Sequence, residues 1–137
     1  MADLNPPSST IPRPVFIVSD GTAITAETLA QAVLTQFPNL NYEQRRIPFV
    51  DTVEKAVATA DRINLVQEKT AMRPLVFSTF SRKSISNAFC DECTGFVSEL
   101  FRSFVNPLEE ELGMKSSHQV GMTHRIRNEE NYDRRIA

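Results

Sequence analysis

The sequence predicts an α/β fold: a small parallel sheet with alternating helices in the order β-α-β-α-β-α-α, followed by a polar tail. Three observations predict it. Val15-Phe16-Ile17-Val18 and Pro74-Leu75-Val76-Phe77 are short continuous apolar runs, as expected of strands covered on both faces. Longer stretches with apolar residues at three- and four-residue spacing lie between them. Strands that alternate with helices imply right-handed crossovers and parallel pairing. The chain has 137 residues, 41% hydrophobic and 23% charged, which is room for one domain or one lobe with its own core.

The elements follow in order. Proline recurs at Pro6, Pro7, Pro12 and Pro14, so residues 1–14 read as an extended, flexible arm, with order beginning at Val15. The first strand ends at Ser19-Asp20-Gly21-Thr22. Thr22 or Thr25 can cap the helix that follows, Glu27 suits its first turn, and Ala26, Leu29, Ala30, Val33 and Phe37 make one apolar face. Pro38 stops it. A second strand falls within Gln44–Val50, and Pro48 suggests an edge position or a strand end, since it cannot donate to the ladder. Asp51 with Glu54 resembles a capping box at the start of a second helix, which carries Val53, Ala56, Val57, Ala60, Ile63 and Val66 to about Thr70. The third strand is Pro74–Ser78. A long helix is predicted from Ser84 to about Phe104, then a short one with Asn106 as cap, Pro107 in its first turn and Gly113 as its left-handed end. The α/β domain thus covers residues 15–113, and residues 114–137 read as a polar linker.

Composition excludes several function classes. A net charge of −2 gives no pull toward nucleic acid or an anionic membrane. No apolar run approaches the ~20 residues that span a bilayer. The first residues lack the basic and apolar pattern of a secretory signal, and two cysteines fit a reducing cytosol, so a cytoplasmic protein is expected.

Chemistry is expected first at Ser19-Asp20-Gly21-Thr22. Ligands of parallel sheets bind beyond the carboxyl ends of the strands. Gly21 lets backbone approach a ligand, and the helix that follows offers unpaired amides to an anion. Ser19, Thr22 and Thr25 add hydroxyls, and Asp20 is the candidate base or metal contact. The same residues also make an ordinary tight turn with helix caps. Neither a Walker A loop nor a G-x-G-x-x-G fingerprint occurs. Cys90 and Cys93 form a lone C-x-x-C. Without a second ligand pair, it reads as structural thiols before a redox or zinc site, and no metal site is expected. His124, among arginines, is a candidate phosphate contact or a solvated residue. Phe96, Val97, Leu100, Phe101 and Phe104 read as local core, with part of that surface available to another domain or a second subunit.

Together these stretches resemble a known family. Residues 15–29, Val15 to Leu29, resemble the opening signature of the bacterial phosphoenolpyruvate synthase regulatory proteins, relatives of the pyruvate, phosphate dikinase regulatory proteins. Leu34–Pro38, Pro48–Thr52, Arg73–Ser78, Pro107–Glu109 and the spaced Gly121, His124, Tyr132, Arg135 and Ile136 are similar to the same family in the same order. The resemblance implies a bifunctional enzyme. It would act as an ADP-dependent serine/threonine kinase that inactivates the synthase by phosphorylating a threonine. It would also act as a phosphate-dependent pyrophosphorylase that reactivates it. ADP or ATP and inorganic phosphate are the implied substrates, with Mg²⁺ alongside, none held by this chain unaided. The synthase or the dikinase is the implied partner, with a C-terminal domain and a second copy of the chain as further partners. The family's nucleotide P-loop lies downstream of the tyrosine–arginine–isoleucine stretch, so the chain is expected to be an N-terminal portion, inactive without the rest. The alternative is a non-catalytic module that docks the synthase or another subunit.

Overall fold

The computed structural model describes residues 11–117. Four parallel strands form one sheet: β1 (Arg13–Ser19), β2 (Tyr42–Ile47), β3 (Leu75–Thr79) and β4 (Phe96–Glu99), in the spatial order β2-β1-β3-β4. Between them run α1 (Ile24–Leu34), α2 (Val53–Thr70) and α3 (Lys83–Glu92); after β4 come a π-helical turn at Phe101–Val105 and α4 (Asn106–Leu112). The α/β class with a parallel sheet is as the sequence predicts.

β1 is the central apolar strand, with Val15 to Val18 almost wholly buried. Alternation sends its side chains to two cores. Phe16 and Val18 join Val76, Phe80, Ala56, Ala60, Ile63, Ile85 and Phe89 beneath α2 and α3. Val15 and Ile17 join Ala26, Ala30, Leu34 and Phe77 beneath α1. The sheet is therefore doubly wound. Between β1 and β3 the chain reverses its direction of growth across the sheet, and ligands of such folds bind at the carboxyl ends of those two strands.

Several expectations need correction. β1 starts at Arg13 rather than Val15. Pro14 is tolerated there because pairing with β3 begins only at Val15, while the Arg13 amide already donates to the Asn41 carbonyl on the β2 side, 2.8 Å away. The predicted helix Ser84–Phe104 is broken. α3 stops at Glu92, and Phe96–Glu99 is a fourth strand, paired with β3 from Leu75↔Phe96 to Ser78↔Glu99. Gly95 makes the change of direction: a Cβ there would lie 3.0 Å from the Pro74 carbonyl and 3.2 Å from Val76 Cγ2. Phe96 and Phe104 are consequently exposed, while Phe101 is buried. Val33 and Phe37 are exposed as well, so the buried face of α1 is Ala26, Ala30 and Leu34. α2 is capped by Thr52, whose hydroxyl accepts from the Lys55 amide at 3.1 Å, and not by Asp51, which pairs with Lys55 Nζ at 2.9 Å. The sequence places Asn106 as a cap, but it lies inside α4, because the π turn feeds the helix without a break. β2 is an edge strand and ends before Pro48, as expected, but it starts at Tyr42, outside the predicted Gln44–Val50. Gly113 closes α4 at φ 65°, as expected.

Candidate functional site

The carboxyl ends of β1 and β3 are tied together by one carboxylate. Asp20 leaves β1, and its Oδ2 accepts from the Ser81 amide and the Ser81 hydroxyl, each at 2.8 Å. Ser81 leaves β3. The bridge thus spans the switch point. No partner falls on Asp20 Oδ1 among the described residues, and Asp20 is half-buried at the crevice.

Beneath it is a hydroxyl clasp. Ser19 Oγ donates to the Thr79 carbonyl at 3.2 Å and accepts from Thr79 Oγ1 and the Gly21 amide, both at 3.0 Å. Ser19 is buried, so its hydroxyl shapes the turn from inside. Gly21 accepts the Phe49 amide on its carbonyl at 2.8 Å, and Ser19 accepts that of Val50 at 2.9 Å, so the loop after β2 is sewn to the loop after β1. A Cβ at Gly21 would meet Ser19 Oγ at 3.8 Å, an ordinary contact that would not by itself exclude a larger residue. The left-handed conformations fall on Ala23 (φ 74°) and on the exposed Phe49 (φ 59°), a strained setting for a bulky residue. Thr22 is exposed and accepts weakly from the Ile24 amide at 3.4 Å; Thr25 is half-buried in the first turn of α1. His124 lies outside the described residues.

The two helices that leave the switch point, α1 and α3, begin without a side-chain cap, whereas α2 has Thr52. Uncapped first-turn amides and the helix dipole favour an anion at that end. Beside the start of α3 opens a cavity of about 740 Å³ at the ends of β3 and β4, lined among others by Ser81, Lys83, Ser86, Glu99, Arg102 and Lys115.

Glu99 organises that cavity's wall. It is 3% exposed and accepts four hydrogen bonds. Oε2 takes the amides of Phe80 and Phe101, and Oε1 takes the Ser86 hydroxyl and the Arg102 amide, at 3.1–3.3 Å. Sequence reading missed both Ser81 and Glu99. Ser81 follows β3 as Asp20 follows β1, so the strand-end rule, applied twice, finds it. Glu99 was hidden by the predicted helix.

Cys90 adjoins the cavity wall, with a hydrogen bond to Ser86 and with Arg102 and Glu99 nearby, and the Cys90 and Cys93 thiols themselves do not line the cavity. Burial pushes both thiols up from their ordinary range. Cys90 lies within α3 and Cys93 caps its end, so the pair precedes a strand rather than following one. No three His, Cys, Asp or Glu side chains gather as a metal cage among the described residues. A lone carboxylate at Asp20 could share a cation only with substrate phosphates. No helix among the described residues is long and apolar enough to cross a membrane.

Comparison with known proteins gives this geometry its context. The family model described as kinase/pyrophosphorylase matches residues 15–137. A protein of Stutzerimonas stutzeri (strain A1501) named "Putative phosphoenolpyruvate synthase regulatory protein" is 44% identical over 124 residues, 90% of this chain and 45% of its own length. Proteins of the same name from Bordetella avium (strain 197N) and Paraburkholderia phytofirmans are 43% and 45% identical, covering 94% and 92% of this chain and 47% and 46% of their own lengths. The chain thus spans a little under half the length of these curated relatives. With residues 15–137 of its 137 matched by that model, the chain belongs to the kinase/pyrophosphorylase family.

Proposed function

We propose that this chain is the N-terminal lobe of a bifunctional regulator of phosphoenolpyruvate synthase, acting on a threonine of that enzyme in the cytoplasm. In the inactivating direction the threonine oxygen attacks the β-phosphorus of ADP, and AMP leaves. In the reactivating direction inorganic phosphate attacks the phosphothreonine, and pyrophosphate leaves with the threonine hydroxyl restored. The lobe's share is positioning, on which phosphoryl transfer chiefly depends. The Asp20–Ser81 bridge over the β1/β3 switch point carries the reading. It leaves Asp20 Oδ1 to accept the threonine proton, while the uncapped starts of α1 and α3, with Gly21 and Thr22, receive phosphate oxygens. Thr25 and His124 are further phosphate contacts in this proposal. Mg²⁺, if it takes part, would rest on Asp20 and the substrate phosphates and would offset their charge.

The nucleotide P-loop is assigned to the rest of the full-length protein, with residues 1–14 as an arm, residues 15–113 as the lobe and residues 114–137 leading to that P-loop. No P-loop motif occurs in these 137 residues, which supports the division. The Asp20→Asn substitution in a full-length version tests it. Asparagine keeps an oxygen for Ser81 but cannot take a proton, so transfer is expected to fall by about 10²–10⁴-fold with the fold intact. Wild-type transfer would refute the role. Synthase binding by this chain with no effect on catalysis would favour the non-catalytic docking module instead.

A further inference from the structure

The two faces of the sheet are unequally covered. On the side of α2 and α3 the core runs from Phe16 to Val97, so it reaches β4. On the other side α1 packs over β1 and β3, and among the described residues no element covers β4. The register puts Leu75, Phe77, Phe96 and Ser98 on that side. There a groove of about 820 Å³ runs between α1 and β4, bounded by Val33, Phe37, Met72, Phe77, Phe96 and Ser98. Phe37 and Phe96, on its rims, are 59% and 53% exposed. Phe96 is held in place: the Arg73 guanidinium lies 5.5 Å from its ring centroid and is itself fixed by the Thr94 and Gly95 carbonyls.

We infer that this groove seats an apolar helix from the C-terminal portion that full-length kinase/pyrophosphorylases carry beyond the matched segment. A parallel sheet needs helices on both faces, and among the described residues no helix lies over β4 on the α1 side. The relatives have more than half of their length outside the match, so they can supply it covalently and at high effective concentration. The shape points the same way. A groove takes a ridge such as a helix about 10 Å across, whereas two identical concave faces related by a two-fold axis would leave each other unfilled.

This assignment rests on the two-lobe reading above, and the test separates the two. The 137-residue chain and a chimera that continues it with the C-terminal portion of the Stutzerimonas stutzeri relative are labelled by hydroxyl radicals. Phe37 and Phe96 are expected to lose labelling several-fold in the chimera, while exposed Leu65 on α2 does not change. Unchanged labelling of both phenylalanines in a chimera that binds ADP would overturn the groove and leave the two-lobe reading standing. Sedimentation of the 137-residue chain supplies the second measurement, whatever the chimera's folding. A monomer with both rings labelled is expected. A dimer that Phe96→Glu dissociates would give the groove to a second copy and overturn the assignment. In the chimera Phe96→Glu is expected to restore labelling at Phe37, and Leu65→Glu is not.

Discussion

Asp20 and Glu99 are both carboxylates at strand ends, yet they do different work. Asp20 bridges two loops and keeps one oxygen toward the crevice. Glu99 spends both oxygens on four donors in the interior and so locks the start of α3 to the π turn. Glu99→Gln turns an amide NH₂ toward two of those donors whichever way it sits. The loss of charge-assisted bonds is expected to cost about 1.5–3 kcal/mol, read as a lower urea midpoint with an unchanged slope. An unchanged midpoint would contradict the locking role. Asp20 was legible in the sequence because aspartate, glycine and hydroxyls follow an apolar run directly. Ser81 sits at a strand end that the same rule reaches, but its bond to Asp20 was not legible, because a hydrogen bond between residues 61 positions apart leaves no local pattern. Ser19 was a candidate from its place at a strand end, but its burial was not legible: the clasp with Thr79 depends on β1 and β3 being neighbours.

At the scale of elements, the fourth strand is the main lesson. Phe96, Leu100, Phe101 and Phe104 fall at helical spacing, and that periodicity hid a four-residue strand. Thr94-Gly95 was the available signal, since glycine inside a predicted helix marks a break as readily as a packing contact. Gly95→Ala is expected to destabilise the chain by about 1–3 kcal/mol, because the new methyl meets the Pro74 carbonyl and Val76. A thermal melt that matches wild type would show that the Gly95 turn has slack. Between α2 and α3 a second prediction concerns pH. Asp61, through a hydrogen bond and its charge, holds the Glu92 carboxyl above its usual range. A raised folded-state value contributes stability that is full below the ordinary value of 4.5 and is lost as pH rises through the folded one. At neutral pH the pair repels, so Glu92→Gln is expected to raise the melting temperature there, and the gain is expected to shrink as pH falls below 4.5. A gain that is equal at both pH values would contradict the pairing.

At the scale of the whole molecule, the alternation of strands and helices was enough to give a parallel α/β sheet. The order β2-β1-β3-β4 was not legible, because pairing is a property of the assembled sheet. That order builds the candidate site, since it puts Asp20 and Ser81 side by side at the switch point and leaves a cavity of about 740 Å³ beside Ser81. The central claim is that these residues position phosphate and target while the nucleotide is held by the remainder of the full-length protein. Calorimetric titration of ADP into the 137-residue chain and into the full-length Stutzerimonas stutzeri relative tests it most directly. Saturable binding to the relative and none to the chain is expected. Equal affinity of the 137-residue chain and the relative for ADP would contradict it and make the loops after β1 and β3 the nucleotide site.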